Sequence, residues 1–345
     1  MKIAIVFGGL SFEHEISIVS SIAMKKVLNN ELIYIFIDKN RYFYHIPASD
    51  IKSTLFSSGE YKKYDQLSLD QNCFSKKSFF GKKLLDFDTI LNLTHGGDGE
   101  DGVLAGLFSF YSIPFIGPRV DASVVSCNKF FTKNYASSYD VKTLPCQYFS
   151  KGDDIKLETY PVIIKPTKLG SSIGVSIVKD ENELDYALDV AFEFDDTIIV
   201  EPFISDVKEY NLAGVRIDNE FIFSIVEEPQ KEQFLDFDKK YLDFNRTATV
   251  NNADISKELE DKLKNNFMKI YNTTFSGALI RCDFFVIENE VYLNEINPIP
   301  GSMANYLFDD FNNIINKLSL NLPKQKNITI NYEYVNKIQS AKGKV

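Results

Sequence analysis

The sequence predicts an α/β protein that opens on a parallel sheet and continues into an α+β central part. Three observations lead there. Residues 2–7 (KIAIVF) are an apolar run stopped by Gly8-Gly9. A helical pattern follows, in which spacing puts Ile16, Val19, Ile22, Ala23 and Val27 on one face. Residues 32–38 (LIYIFID) form a second apolar run. Strand, helix and strand in that order imply parallel pairing, because the helix carries the chain back to the sheet's starting end.

The other elements follow in turn. Residues 89–94 read as a strand ending at His95-Gly96-Gly97, and residues 103–110 as a helix leading to a strand at 113–116. The first domain is expected to cover 1–120. A helical stretch at 121–138 precedes strands near 146–149, 161–165, 174–178 and 197–200, with a helix at 181–194. These make a central domain, 121–204. Two strands, 210–217 and 220–226, meet at Asp218-Asn219, residue types that tolerate a left-handed turn. Residues 229–252 are polar, aromatic and poorly periodic, and a loop of that length is as a rule functional. A helix at 255–271 leads to strands at 278–287 and 291–296, and Pro298, Pro300 and Gly301 then break the chain. The tail after Leu322 is rich in Lys and Asn and reads as loosely held. The third domain is expected to cover 205–345.

Composition narrows the function. The 345 residues suffice for two or three domains of roughly 100–150 residues. A net charge of -10 argues against a nucleic-acid partner, which calls for a basic stripe. Cys73, Cys127, Cys146 and Cys282 form no CxxC pair and fit no zinc spacing, which suits a reducing compartment. The first apolar run meets Glu13 too early for a secretion signal. No run approaches the roughly 18 apolar residues of a membrane helix. The expectation is a soluble cytoplasmic protein without a membrane partner.

Residues 97–102 (GDGEDG) fit G-x-G-x-x-G between a strand and a helix. Yet Asp98, Glu100 and Asp101 would compete with a pyrophosphate for the helix N-terminus, so an acid-capped helix start is preferred to a dinucleotide site. No Walker A loop is present, since Gly81-Lys82 and Gly343-Lys344 lack the upstream glycine. In residues 165–175 (KPTKLGSSIGV), Lys165 ends a strand and a Gly/Ser loop follows. Its N–H groups can cradle phosphate oxygens, with hydroxyls from Ser171 and Ser172. An ordinary hairpin turn is the plain alternative.

The sharpest pattern is near the end. Arg281 and Asp283 alternate on one strand, Glu295 and Asn297 on the next, so antiparallel pairing collects all four on one face. Hard cations such as Mg²⁺ take carboxylate and amide oxygens, and a guanidinium neutralises charge on a transferring phosphoryl group. A solvated face laced with salt bridges accounts poorly for the apolar alternates Cys282, Phe284 and Ile296. Among the three histidines, His95 at a strand end is the best placed for a substrate, while His45 reads as a surface residue. Tyr241, beside Lys240, reads as a lid residue or an anchoring aromatic.

Together these pieces resemble the D-alanine–D-alanine ligases of the ATP-grasp superfamily. The matching stretches are GGLSFEHEIS (8–17), HGGDGEDG (95–102), IIKPTKLGSSIGV (163–175), KKYL (239–242), RCDFF (281–285) and NEINPIPGS (294–302). The resemblance implies three domains, with ATP held between the central and C-terminal ones. It implies that ATP phosphorylates a first D-alanine, and that the amine of a second displaces phosphate through a tetrahedral intermediate. It gives Glu13 the first substrate's ammonium, in a set with Ser171 and Tyr241. It gives Lys129 and Lys165 the phosphates, Glu201, Phe203 and Ile204 the adenine, Glu209 the ribose, and Lys240 the γ-phosphate. It gives Arg281 and Gly301 the oxyanion, and Asp283, Glu295 and Asn297 two Mg²⁺ ions, for which Mn²⁺ can substitute. It further implies a homodimer in peptidoglycan synthesis. Two positions depart from the family's pattern. Pro202 stands where many members carry Lys or Glu. Tyr306 stands where a serine often meets the second substrate, a place Ser302 could fill. Other readings are a D-alanyl-D-lactate ligase, another ATP-grasp ligase, a non-catalytic nucleotide-binding regulator and a dehydrogenase. Tyr241 speaks against the first, and Arg281, Asp283, Glu295 and Lys240 against the regulator.

Overall fold

A computed structural model of the protein describes residues 1–229 and 250–342. Most of the expected lid, with Lys240 and Tyr241, lies outside the described residues. The first part contains β1 (Lys2–Gly8), α1 (His14–Val27), β2 (Glu31–Ile37), β3 (Phe43–Ile46), α2 (Ser53–Ser57), β4 (Gln66–Asp70), β5 (Cys73–Ser78), β6 (Gly81–Leu84), β7 (Thr89–Asn92), α3 (Val103–Phe110) and β8 (Phe115–Ile116). They build one sheet in the order β6-β5-β4-β3-β2-β1-β7-β8. The β2, β1, β7 and β8 pairings are parallel, as the β-α-β opening requires. Ile3 to Phe7 are fully buried, which explains an unbroken apolar run rather than an alternating one.

The structure adds one feature to the sequence reading and corrects two others. First, β3 to β6 add an antiparallel meander whose short, polar strands (GKKL in β6) carry no apolar signal. Second, His45 is half-buried, because β3 lies inside the sheet with β2 and β4 on either side; burial lowers its pKa. Third, α1 buries Ile16, Ser17, Ile18, Ser20, Ser21 and Met24, while Val19 is 37% exposed. Packing against both the sheet and the turn at 301–307 brings the serines inside. Ser17 Oγ accepts from the Gly8 N–H at 2.8 Å and donates to the Leu93 carbonyl at 2.5 Å. A hydroxyl satisfied in this way fits a core, so apolar spacing rightly brings Ile16, Ile22 and Val27 to the core but misses the serines and wrongly includes Val19.

The stretch at 121–138 is two helices, α4 (Val120–Cys127) and α5 (Lys129–Ser138). Asn128 between them is extended, and its Oδ1 accepts from the Phe130 and Phe131 N–H groups at 2.9 and 3.2 Å. This N-cap restarts the helix and makes Lys129 its first residue. The central part continues with β9 (Gln147–Ser150), β10 (Val162–Pro166), β11 (Ser176–Val178), α6 (Leu184–Phe194) and β12 (Thr197–Pro202). Its antiparallel sheet runs β11-β10-β12-β9, and α6 packs Leu184, Ala187 and Ala191 against it.

The last part holds β13 (Lys208–Ile217), β14 (Glu220–Glu227), α7 (Lys257–Tyr271), β15 (Ile280–Ile287), β16 (Glu290–Asn297), α8 (Phe311–Leu320) and α9 (Glu333–Lys342). Its sheet runs β14-β13-β15-β16, all antiparallel. Leu263, Phe267 and Ile270 of α7 cover one face of this sheet. Phe311, Ile315 and Leu318 of α8 join the core beneath β1, tying the last part to the first. The tail does contain a helix, α9, yet residues 323–341 are exposed throughout.

Candidate active site

The strand register decides the first half of the site. Arg281 pairs with Asn297 and Asp283 with Glu295, across the turn at Glu288-Asn289. All four therefore share one face, and Cys282, Phe284 and Ile296 are buried on the other. Arg281 grips Asp283 with two parallel bonds, Nε to Oδ1 at 2.7 Å and Nη2 to Oδ2 at 2.8 Å. Asn297 Nδ2 donates to Asp283 Oδ2 at 3.0 Å. A bulge follows between Asp283 and Phe284 and ends the regular alternation beside the site.

The same register extends the row. Asn211 on β13 faces Asp283, and Glu227 on β14 faces Asn211, so Glu227, Asn211, Asp283 and Glu295 cross all four strands. Asn211 Nδ2 donates to Glu227 Oε2 at 3.0 Å, and the Tyr306 hydroxyl donates to the same oxygen at 3.3 Å. Burial raises the pKa of Asp283, and the nearby Glu295 adds to the rise against the pull of Arg281. Burial alone would raise Glu295 too, but Lys129, Arg281 and Lys165 outweigh it and hold it low. Two crowded, half-buried carboxylates beside an amide are a donor set that a hard divalent cation fits.

Behind this face sits a cation cluster. Lys129 at the start of α5 hydrogen-bonds the Leu169 carbonyl of the Gly/Ser loop. Its burial lowers its pKa, opposed by Glu295, Glu201 and Glu13. Lys165 pairs with Glu201 at 2.6 Å and reaches Asn294 Oδ1 of β16 at 3.5 Å. Lys133, one turn along α5, pairs with the other oxygen of Glu201 and donates to the Leu144 carbonyl at 2.8 Å. Glu201 is 2% exposed. Burial pushes its pKa up, yet Lys165 and Lys133 leave it below the ordinary value. Its carboxylate is thus committed to two lysines. Phe203 and Ile204 are half-buried just beyond it, and the Phe203 N–H donates to the Pro161 carbonyl at 3.0 Å. Glu209 is half-buried on β13 opposite Phe285.

The other end of the site is made of loops. The Ser171 hydroxyl donates to Glu13 Oε1 at 2.6 Å across the gap between the first and central parts. Ser171 and Ser172 both have left-handed backbone, at φ 57° and 60°. Glycines leave room around this carboxylate, and at Gly96 the left-handed backbone (φ 61°) favours glycine as well. A Cβ on Gly96 would lie 2.6 Å from Glu13 Oε2, and one on Gly170 3.2 Å from Oε1. Burial raises the pKa of Glu13, with Glu100 adding to it, while Ser171, His95 and Lys129 oppose.

His95 Nε2 lies 2.9 Å from Ser20 Oγ, and Ser20 Oγ accepts the Ser302 N–H at 3.1 Å. Whichever way the His95–Ser20 proton runs, one buried hydroxyl links the imidazole to the turn opened by Gly301. That turn puts Ser302, Met303 and Ala304 at φ 48°, 55° and 50°, three successive non-glycine residues in left-handed backbone. Strain of this kind collects at functional sites. Ser302 Oγ is buried and has no hydrogen-bond partner among the described residues.

The motif at 97–102 is occupied by its own acids. Asp98 takes two bonds from Arg41 at 2.7 and 2.9 Å, and Asp101 Oδ1 accepts the Val103 N–H at 2.8 Å at the start of α3.

Comparison with known proteins places the chain. Sequence models described as D-ala D-ala ligase N-terminus and C-terminus match residues 2–118 and 146–312. A D-alanine–D-alanine ligase of Sulfurovum sp. (strain NBC37-1) is 60% identical over 346 residues, covering 100% of both chains. The chain belongs to the D-alanine–D-alanine ligase family. The ligase of Wolinella succinogenes is 57% identical with full coverage of both chains. The crystal structure of the Helicobacter pylori ligase aligns with a TM-score of 0.85 at 49% identity, covering 94% of this chain and 100% of that one.

In this ligase, four partners escaped the reading from sequence: Ser20, Lys133, Asn211 and Glu227. Asn211 and Glu227 follow from strand alternation once the sheet order is known. Lys133 lies one helical turn after Lys129, a visible spacing, but its partner Glu201 is 68 residues distant. Ser20 looks like any helix serine, and only packing against 301–307 gives it a role.

Proposed function

We propose that the protein joins two D-alanines into D-alanyl-D-alanine at the expense of ATP, for peptidoglycan synthesis in the cytoplasm. The observation that carries this reading is the registered face of Arg281, Asp283, Glu295 and Asn297, set in a full-length family match. The γ-phosphoryl group of ATP passes to the carboxylate of the first D-alanine, giving an acylphosphate and ADP. The free amine of the second D-alanine attacks that carbonyl, and the tetrahedral intermediate expels inorganic phosphate.

Each residue set has a task in this sequence. Glu13, braced by Ser171, takes the first ammonium. Lys129 and Lys165 bind phosphate oxygens. Glu201, Phe203 and Ile204 border the adenine and Glu209 the ribose. Arg281 and the Gly301 N–H stabilise charge on the reacting oxygens. Asp283, Glu295 and Asn297 would hold two Mg²⁺ ions, or Mn²⁺ in their place, which when bound offset the repulsion between phosphate and carboxylate. Lys240 and Tyr241, outside the described residues, would serve the γ-phosphate and the Glu13–Ser171 set, in a lid that would keep water from the acylphosphate. Ser302, with its buried hydroxyl, and Tyr306 lie where the second carboxylate is expected, with His95 alongside. A homodimer is proposed on the family resemblance alone.

The test is D-alanine-dependent ADP release with Mg²⁺, together with identification of the dipeptide. Purified protein that forms no D-alanyl-D-alanine under those conditions refutes the reading. Competition between D-alanine and D-lactate at neutral pH excludes or reveals the depsipeptide alternative.

A further inference from the structure

The β5–β6 hairpin belongs to no part of the site. Residues 76–83 read Lys-Lys-Ser-Phe-Phe-Gly-Lys-Lys, four cations without an acid in a chain of net charge -10. The register sets Lys76 opposite Lys83 and Lys77 opposite Lys82. Like charges directly opposite destabilise a strand pair, and here they occupy both faces of the ribbon. Asp65 meets Lys76 at 2.6 Å and Asp70 meets Lys82 at 3.0 Å. Lys77 and Lys83 are exposed and have no ion pair among the described residues. Each cross-strand pair therefore keeps one uncompensated cation.

Phe79 and Phe80 form the tip, 94% and 95% exposed, edge-to-face at 5.0 Å. Two-residue hairpin turns favour Asn, Asp and Gly, so turn chemistry does not call for two phenylalanines. β6 is the sheet's edge strand, and lysines there hinder unwanted strand addition. Edge protection explains the lysines and leaves the aromatic tip unexplained.

We propose that this hairpin tip docks on an anionic lipid surface, with Phe79 and Phe80 entering the headgroup boundary and the lysines facing lipid phosphates. Large apolar side chains ringed by cations suit that boundary, where apolar burial and attraction to anionic headgroups add. The tip lies at the edge strand with two uncompensated lysines beside it, which favours a negatively charged partner. Among the described residues no helix is long and apolar enough to cross a membrane. The association is thus peripheral and departs from the expectation that a membrane has no part.

The test is co-sedimentation of the full chain with phosphatidylglycerol–phosphatidylethanolamine vesicles, beside neutral phosphatidylcholine vesicles. Binding is expected only to the anionic vesicles, and it should largely disappear near 1 M salt, where the screening length falls to about 3 Å. The double variants F79S/F80S and K77E/K83E should each bind about tenfold more weakly or worse, with thermal unfolding midpoints no lower than the wild type's, since K77E/K83E sets Glu opposite Lys in both cross-strand pairs. Wild-type protein left in the supernatant, equal binding to neutral vesicles, or binding insensitive to both pairs overturns the proposal. A fall in solution mass for F79S/F80S also overturns it, assigning the tip to a contact between copies of the chain.

Discussion

The phosphate end of the site stands on two registered strands, whereas the amino-acid end is assembled from loops and a helix far apart in the chain. Arg281, Asp283, Glu295 and Asn297 lie within 17 residues and one hairpin. Glu13 meets Ser171 across 158 residues, and Ser20 meets Ser302 across 282. A hairpin fixes direction by alternation, so few changes can move its side chains. A loop assembly depends on glycines, left-handed backbone and the docking of separate parts. In the proposed reading the chemistry therefore rests on a registered hairpin, while substrate choice rests on loops, the kind of element that tolerates sequence change best.

The largest expected effect is on the strand face. Asp283→Asn or Glu295→Gln should lower kcat by about 10³-fold or more, with the fold retained, because each removes a charge the developing phosphate chemistry relies on. Single-turnover ADP release measures it, and a loss below tenfold would remove these residues from the metal–phosphate role. Lys133→Met comes next and tests the support behind that face. It leaves Glu201 with Lys165 alone and should cost about 1–3 kcal/mol in denaturant unfolding, the range for losing one partner of a buried polar group. The sign with pH is fixed. Glu201 has a folded pKa below its unfolded value, so its stabilisation is present above about 4.5 and lost as pH falls through the folded value. The variant should shed part of that acid-side dependence.

Effects at the assembled end should be smaller and fall on binding. Glu13→Gln should reduce kcat/KM for the first D-alanine by about 10²-fold, since a charge-assisted contact to its ammonium is lost. If the change appeared in kcat alone, Glu13 would belong to the chemical step instead. Ser20→Ala should be the mildest, about tenfold in kcat/KM, because it orphans the Ser302 N–H and loosens His95 together. Hydrogen exchange at 301–307 should speed up in the same variant, a readout the strand-face variants should leave unmoved.

Legibility from sequence divides along the same line. The β-α-β opening, the 210–226 hairpin and the 281–297 face were readable because strand and helix periods act over a few residues. The meander β3–β6 was not, since polar edge strands carry no apolar period, and the helical stretch at 121–138 did not show the break at the Asn128 cap. In α1 the apolar spacing found Ile16, Ile22 and Val27 but also named the exposed Val19, and it missed the buried Ser17, Ser20 and Ser21. Family resemblance, rather than periodicity, linked Glu13 to Ser171.

By itself the sequence determined the family, the fold class and the shared face of Arg281, Asp283, Glu295 and Asn297 on β15 and β16, because motifs and alternation are local properties of a chain. Only the tertiary structure decided that Glu201 is held between Lys133 and Lys165, that Asn211 and Glu227 extend the carboxylate row, and that Ser20 joins His95 to a strained turn. Those contacts join residues whose separation in the chain exceeds any repeat a strand or helix can write. They exist only once burial makes an unpaired charge or hydroxyl costly enough to demand a partner.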